Sequence, residues 1–569
     1  MIESPTLDPV ATVEERSPRA AGRWAMPTSI PRRVAWCILA VITVASCALT
    51  VAASRRTSTT FDEIIMMAGG ARGFETGNFD LAPEHPPLTQ YLYGLPVYLS
   101  GISYPQEIAG PFDFTYRYLY SRQLFWGSGN DPERIAFLGR LPAALAASLL
   151  VVLTFGFTSN RAGRGAGLLA AGLVAFLPDV LAHGGVAYND LPLATAFFGA
   201  IWAFDRVART PSVRTGLVAG FALALAFAIK FSAVVLLPVA LLLVLVEGAT
   251  GRERALGWVA KLAGATAVAA LATYVTLVLV YRGDPTLAEF RYGLDYTFRH
   301  VNQGHSAPGY LLGKFSPTGW WYYFPLAFLF KTPAALHLLV LLALLGFYRN
   351  RTGVAGGVRA QLHTFFGSPL RVCAIGLLVF GYALLTSSLN IGFRYALPAL
   401  PLLCILTAVG VVRLWQHARP LVQACIVALA LGHAASVTAH YPHFLAYMSE
   451  YGPGDGRGDL VLLDSSLDWG QGLLELRRFM HEHGIERVYL SYFGSAQPEG
   501  YGIEYSPLPS AFWLPPRPAP APGEEPRWAA ISATNLHGIY LLGDPLAHFR
   551  KLEPDTVIAN SILIYRVND

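Results

Sequence analysis

The run GLVAGFALALAFAIKFSAVVLLPVALLLVLVE, residues 216–247, decides the fold class. It is almost wholly apolar, too long for one membrane-spanning helix and barely long enough for two. Basic residues flank it on both sides, with Arg206, Arg209 and Arg214 before it and Arg252, Arg254 and Lys261 after it. Because basic residues concentrate on the cytoplasmic side of a membrane, both ends belong there, and the run predicts a hairpin that turns near Lys230.

Apolar runs of spanning length recur along the chain. They cover residues 34–53, 135–157, 166–182, 191–207, 256–281, 320–347, 372–389, 396–414 and 421–437. Hydrophobic residues make up 53% of the chain and charged residues only 14%, which lies outside the composition of soluble proteins. Together with the hairpin, the runs predict a polytopic α-helical membrane protein with about eleven transmembrane helices.

The arginine bias also predicts the orientation. Five arginines precede the first run, and they outweigh Arg55 and Arg56 on its far side. We therefore expect a cell-membrane protein with its N-terminus in the cytoplasm. An odd number of spans then places the first loop (residues 54–134), a later loop (282–319) and the C-terminal segment outside the cytoplasm.

Three regions follow from composition. Residues 1–33 have no apolar periodicity and predict a disordered cytoplasmic tail. Residues 34–440 form the transmembrane region, and residues 441–569 predict a small extracytoplasmic α/β domain. In that domain we expect strands at 459–464, 487–493, 528–531 and 556–566, a helix at 473–483, and a structural or acceptor-recruiting role. The stretch DSSLDWGQG, residues 464–472, is interpreted as a packed turn in preference to a binding site.

The residue pattern does not favour a nucleic-acid-binding function or a site built from cysteines. The polar segments show no basic stripe interleaved with aromatic residues, so a nucleic-acid partner is not expected. All five cysteines lie inside apolar runs, so neither a disulfide framework nor a cysteine-based metal site is indicated.

Polar motifs cluster on the predicted outer face. They are Asp62-Glu63, Glu84-His85-Pro86-Pro87-Leu88, Asn189-Asp190, and a late loop with Arg299, His300 and His305. Topology brings all four to the membrane surface, where a lipid head group can meet a water-soluble acceptor. The alternative is that Asp62 and Asp190 only cap helix N-termini.

The order of these motifs resembles the GT-C superfamily of glycosyltransferases, in particular the protein O-mannosyltransferases and the lipid A aminoarabinose transferases. The likeness extends through Arg140-Leu141-Pro142, Asp190-Leu191-Pro192, Lys230, the belt Trp320–Phe324, Lys331-Thr332-Pro333 and the stretch Asn390–Tyr395. It covers residues 50–414. His85 is a departure, since the aminoarabinose transferases carry lysine there.

The resemblance implies an inverting glycosyltransferase that moves a sugar from a polyprenyl-phosphate donor to a hydroxyl acceptor on a protein, lipid or wall glycan. It implies Asp62 as the general base, with Glu63 and Asp190 as further catalytic residues. The residues expected to bind substrate are Glu84, His85, Arg140, Lys230, Lys331, Arg394 and Tyr395.

The basic residues of this set suit a phosphate leaving group, because fixed cations stabilise the charge that grows on it. For Lys230 the alternative is a lysine that extends from a helix end to the membrane interface. Lys331 lies about 11 residues into an apolar run, where charges are costly unless they are paired or functional.

Glu84, Asp190, His300 and His305 also form a candidate site for a divalent cation. Carboxylate oxygen and imidazole nitrogen suit Mg²⁺, Mn²⁺ or Zn²⁺. The alternative for His305 is a loop histidine bonded to the backbone.

Two other functions compete with the transferase. A transporter or flippase of a lipid-linked sugar would show paired halves with helices broken near the midplane, and no such repeat is seen. A structural scaffold would not need a long outer loop dense in acidic residues and histidine.

Overall fold

The computed structural model describes residues 30–106, 114–250, 256–303, 307–349, 368, 370–512, 514–515, 517–518 and 525–567, without the side chains of 114, 250 and 300–303. The predicted tail therefore lies almost wholly outside the described residues. The helices of the apolar region are α1 (Arg32–Ser54), α2 (Glu63–Thr76), α3 (Pro87–Leu99), α4 (Phe114–Arg122), α5 (Pro132–Ala162), α6 (Arg164–Ala175), α7 (Pro178–Gly184), α8 (Asp190–Arg209), α9 (Val213–Ile229), α10 (Leu236–Thr250), α11 (Leu256–Val280), α12 (Ala288–Gln303), α13 (Tyr323–Lys331), α14 (Ala334–Arg349), α15 (Arg371–Leu385), α16 (Leu400–Trp415) and α17 (Pro420–Thr438).

Six helical segments are long and apolar enough to cross a membrane, counted over the described ranges. Two bent helix pairs add one candidate span each, and three more apolar helices are shorter. A helical protein with several membrane-spanning helices is confirmed, while the count of eleven stays a prediction. At the predicted hairpin turn, α9 ends at Ile229 and a 3-10 turn (Phe231–Val235) leads into α10, so a helix end lies next to Lys230 while the hairpin itself stays a prediction.

Two predicted spans are bent, and each bend lies beside a proline. Residues 166–182 divide into α6 and α7, which meet at 62°, and residues 320–347 divide into α13 and α14, which meet at 112°. Each second helix begins beside a proline, Pro178 or Pro333, whose preceding residue has extended backbone. Lys331 thus lies at the last position of α13, at the bend.

The C-terminal region contains a five-stranded sheet beside α18 (Leu473–Glu482). Its strands are β3 (Val488–Ser491), β4 (Tyr505–Pro507), β5 (Trp528–Ser532), β6 (Thr556–Ile558) and β7 (Ile562–Arg566). A separate hairpin, β1 (Gly309–Leu311) and β2 (Lys314–Ser316), precedes them in the chain. The sheet order is β4-β3-β5-β7-β6, parallel at β4-β3-β5 and antiparallel at β5-β7-β6. The helix at 473–483 and the strands near 488, 528 and 556–566 agree with the sequence analysis. The domain boundary at residue 441 stays a prediction.

The strand predicted at 459–464 is wrong. Short 3-10 turns occupy this stretch, at Gly458–Leu460 and Asp464–Ser466. Asp464 has φ +53°, in the left-handed region, which a β-strand does not allow. The chain turns here and packs against the loop that follows α1, where Phe61 N–H donates to the Trp469 carbonyl at 2.8 Å.

Candidate active site

A cluster of polar side chains gathers where α1 ends and α8 begins. The members come from five separate parts of the chain: the α1–α2 loop, the α2–α3 loop, the start of α8, the break after α9, and a 3-10 turn, Phe393–Ala396. We call this cluster the polar centre and define it by Asp62, His85, Asp190, Lys230 and Arg394. All five were predicted as site residues from the sequence.

Two cations flank the carboxylate of Asp190. Lys230 Nζ forms an ion pair with its Oδ1, and Arg394 Nη1 lies 3.5 Å from its Oδ2. Asp190 is the first residue of α8, and the capping position belongs to Asn189, whose side chain makes no capping bond. Asp190 thus pairs with both cations, and it does not occupy the N-cap position that the alternative reading gave it.

The guanidinium group of Arg394 lies between aromatic rings. Its carbon is 4.1 Å from the centre of the Trp469 ring and 4.9 Å from that of Tyr188, and Lys230 Nζ lies 4.8 Å from the Tyr395 ring. Arg394 is 4% exposed, and its Nε and Nη1 have no hydrogen-bond partner within the described part of the chain. Buried N–H groups without a partner are costly, so this arginine is poised to receive an anion.

Asp62 lies at the N-cap position of α2, but its side chain makes no capping bond. Its Oδ1 instead accepts a hydrogen bond from the Tyr118 hydroxyl at 3.1 Å. Burial raises the pKa of Asp62, and the charges of Arg394 and His85 oppose that rise. A carboxylate with a raised pKa beside cations suits general-base chemistry.

His85 approaches the same centre from the loop before α3. Its Nε2 is 3.3 Å from the Tyr188 hydroxyl, and its Nδ1 is 3.3 Å from the Asn189 side-chain amide. Burial lowers the pKa of His85, which favours the neutral form of the ring. The Asn189 amide can then donate to Nδ1 while Nε2–H donates to Tyr188.

Glu63 and Arg140 form a separate, fully buried ion pair. Glu63 is 0% exposed and accepts from Arg140 Nε at 2.8 Å and Nη2 at 2.7 Å. It also accepts from the backbone N–H groups of Thr60 and Ala187, each at 2.7 Å. Arg140 donates in addition to the carbonyls of Ser54 and Ser58. With these bonds made, the pair is suited to holding the loop before α2, and the geometry does not favour the catalytic and substrate-binding roles predicted for it.

Lys331 likewise makes all of its hydrogen bonds outside the polar centre. Its Nζ donates to three backbone carbonyls, those of Leu445 at 2.7 Å, Tyr447 at 3.0 Å and Ser466 at 2.7 Å. It is 0% exposed. An ammonium group has three N–H donors, so Lys331 has none left for a substrate, and it ties α13 to the C-terminal region.

The candidate cation site does not assemble from the described side chains. Glu84 pairs with Arg117, and Asp190 pairs with Lys230 and Arg394. The described part of the chain holds no group of three or more His, Cys, Asp or Glu side chains arranged for a metal. His305 and the side chain of His300 lie outside the described residues, so the four-residue site stays a prediction.

Two aromatic residues that line the polar centre, Trp469 and Tyr118, were not predicted from the sequence. Trp469 contacts Arg394, and its ring centre lies 5.4 Å from that of Tyr188. Tyr118 bonds to Asp62 across 56 residues of sequence. Trp469 belongs to the stretch 464–472 that was interpreted as a packed turn, and only its unusual composition marked it.

The polar centre thus combines two cations with two carboxylates beside the apolar helices, and fixed cations of this kind can stabilise an anionic group. The sequence model of the dolichyl-phosphate-mannose-protein mannosyltransferase family matches residues 135–281. That segment contains Arg140, Asp190 and Lys230. The resemblance to the GT-C glycosyltransferases is confirmed, and this segment of the chain is mannosyltransferase-like.

Solved structures of similar proteins were also found. ArnT from Cupriavidus metallidurans bound to undecaprenyl phosphate has a TM-score of 0.49 and 14% identity, over 93% of this chain and 97% of that one. Its apo state has a TM-score of 0.45 and 16% identity, over 72% of this chain and 65% of that one, just under two thirds. The S. cerevisiae Pmt1-Pmt2 complex bound to the sugar donor has a TM-score of 0.34 and 17% identity, over 45% and 34%. A comparison with curated proteins gives no significant sequence match.

Proposed function

We propose that this chain is an inverting glycosyltransferase that moves a sugar from a polyprenyl-phosphate donor to a hydroxyl acceptor on the extracytoplasmic face of the cell membrane. The observation that carries the proposal is Arg394, a buried guanidinium beside Lys230 whose Nε and Nη1 make no hydrogen bond to the described residues and whose Nη1 is 3.5 Å from Asp190 Oδ2. An anion is the ligand that both groups recognise. The mannosyltransferase-like segment supports a sugar as the transferred group.

An apolar groove supports a lipid carrier. It encloses about 600 Å³ between α3, α5, α8 and α9, and its lining is almost entirely apolar. Three lining residues adjoin the polar centre in sequence: Leu88 follows the loop of His85, Pro192 follows Asp190, and Ile229 precedes Lys230. The groove lining thus extends along the helices from the sequence neighbours of His85, Asp190 and Lys230 to Trp202 and Arg206. A polyprenyl chain in the groove would leave its phosphate at Lys230 and Arg394.

The reaction is then a direct displacement. The acceptor oxygen forms a bond to the anomeric carbon while the bond from that carbon to the phosphate oxygen breaks, and the electron pair leaves with the phosphate. Lys230 and Arg394 stabilise the growing negative charge. Asp62 takes the proton of the acceptor hydroxyl, and attack from the opposite face inverts the anomeric centre.

The test compares Asp62→Asn with the wild type in membranes at matched expression. Polyprenyl phosphate carrying radiolabelled mannose is the donor, and transfer into membrane acceptors is measured together with donor binding. We expect Asp62→Asn to lose at least about 100-fold in transfer while it still binds the donor. Asp80→Asn, in the same outer loop but paired with Arg72 outside the polar centre, is the matched control and should transfer like the wild type.

Equal transfer by both variants would refute Asp62 as the base. Absence of transfer in the wild type, with labelled lipid still crossing the membrane, would favour a flippase. Repeating the assay with a chelator and then with Mg²⁺, Mn²⁺ or Zn²⁺ tests the predicted cation site.

A further inference from the structure

The stretch from Asp464 to Trp469 lies directly against the polar centre. Ser465 Oγ donates to the Ile391 carbonyl at 2.9 Å, and the Phe393 N–H donates to Ser466 Oγ at 2.9 Å. These bonds attach the stretch to the 3-10 turn that carries Arg394. The C-terminal region is therefore part of the wall of the site.

Asp464 stands out within this stretch for its backbone. Its φ of +53° is in the left-handed region, which costs free energy for a residue other than glycine, although less for aspartate than for most. Such residues concentrate at functional sites, where the surrounding structure enforces them.

The carboxylate of Asp464 is also unusual. It is 6% exposed and has no ion-pair partner among the described side chains. Its Oδ1 accepts from the N–H of Ser465 at 2.5 Å, and its Oδ2 accepts from the Tyr540 hydroxyl. A carboxylate has about four lone-pair sites, so beside these two bonds it can accept further hydrogen bonds from a ligand.

A row of aromatic rings connects Asp464 to Asp62. The Tyr540 ring stacks on Phe493 at 5.2 Å, Phe493 stacks on Phe61 at 5.5 Å, and Phe61 meets Tyr118 edge-on at 5.1 Å. Each end of the row donates a tyrosine hydroxyl to a carboxylate, Tyr540 to Asp464 and Tyr118 to Asp62. The negative charge of Asp464 adds to the rise in the pKa of Asp62, so the two carboxylates share one electrostatic environment.

We propose that Asp464, supported by Tyr540, binds the acceptor beside the hydroxyl that Asp62 deprotonates. This inference rests on the proposed transferase function and names the acceptor class. Two neighbouring carboxylates repel an anionic group, and a carboxylate accepts hydrogen bonds from hydroxyl or amino groups. The acceptor therefore presents a second hydroxyl or an amino group next to the reacting one, as a carbohydrate ring does, and no phosphate at that position.

The test uses the full chain purified in detergent with three variants: Asp464→Asn, Tyr540→Phe and Asp468→Asn. Asp468 lies in the same stretch and accepts from the Thr534 N–H at 3.0 Å, a bond that asparagine keeps, so it is the matched control. The acceptor is the cell-envelope fraction of a strain that lacks this chain, titrated against a fixed amount of labelled polyprenyl phosphate mannose. Donor affinity is measured separately with undecaprenyl phosphate.

Asp464→Asn should raise the acceptor concentration needed for half-maximal transfer by roughly 10- to 100-fold, the effect of losing a hydrogen bond to a charged group. Its affinity for undecaprenyl phosphate should stay within about twofold of the wild type. Tyr540→Phe keeps the carboxylate and should give a smaller rise, and it provides the readout if Asp464→Asn does not fold. Asp468→Asn should match the wild type.

The inference is overturned if Asp464→Asn and Tyr540→Phe need no more acceptor than Asp468→Asn, or if their donor affinity falls in parallel with transfer. Failure of the proposed function would give a different result. Either the wild type would transfer no sugar, or Asp62→Asn would transfer as much sugar as the wild type.

Discussion

Glu63→Gln tests whether the buried carboxylate next to Asp62 is structural. The exchange keeps the size of the side chain but removes the charge that balances Arg140, which is 3% exposed. It also places an amide N–H₂ where Glu63 now only accepts hydrogen bonds, two of them from Arg140. Removing one member of a buried ion pair typically costs about 3–5 kcal/mol, because the other charge stays buried.

Asp62→Asn is the matched comparison at the neighbouring position. Asp62 accepts one hydrogen bond, from Tyr118, so its exchange should cost only about 1 kcal/mol of the free energy of unfolding. Both variants are unfolded by titration with a denaturing detergent and followed by circular dichroism. A double variant, Glu63→Gln with Arg140→Gln, should recover part of the loss, because it removes the unbalanced charge.

The reasoning fails if Glu63→Gln is as stable as Asp62→Asn and loses transfer to the same extent. That outcome would give Glu63 the catalytic role that the family resemblance implies. A stability loss under about 1 kcal/mol would also contradict the assigned ion pair.

Two further predictions concern groups outside the polar centre. Lys331→Met should lower the free energy of unfolding by about 3 kcal/mol or more, because three buried carbonyls lose their hydrogen-bond donor. The affinity for undecaprenyl phosphate should stay unchanged. A selective loss of that affinity would restore the predicted contact between Lys331 and the substrate. Burial raises the pKa of Asp468 to about 7, so its contribution to stability is full below the ordinary aspartate value of about 4 and is lost as the pH rises through 7. The wild type should therefore lose stability relative to Asp468→Asn between about pH 5 and pH 8 in the same unfolding assay, and parallel curves for the two proteins would contradict the burial of this charge.

Local patterns were sufficient to predict much of the helical region and the five residues that meet in the polar centre. Apolar run length located the helices, and the lysine within one run marked the break between α9 and α10. Motif order selected Asp62, His85, Asp190, Lys230 and Arg394, which the fold brings together. These predictions depend on residue type and short spacing, which the sequence displays directly.

Partner identity was not accessible in the same way. Lys230 and Lys331 both interrupt apolar runs, but one meets the Asp190 carboxylate and the other meets three backbone carbonyls more than 100 residues away. Trp469 gains its role from the position of Arg394, and the turn at Asp464 depends on a left-handed backbone that hydrophobic pattern does not encode. Each of these depends on long-range contacts, which a reading of local spacing does not provide.

The membrane helices and the C-terminal region together fix the position of Asp62, because its two neighbours in the chain are bound from opposite sides. Glu63 is held from the helix side by Arg140 of α5, which fixes the start of α2. The preceding residue, Phe61, is held from the other side by the Trp469 carbonyl. Asp62 lies between these two anchors, so its carboxylate has little freedom while its partners Tyr118 and Arg394 come from elsewhere in the chain. For the base that we propose, this position means little reorganisation when the acceptor binds, and such preorganisation is a main contribution of a protein to a displacement of the proposed kind.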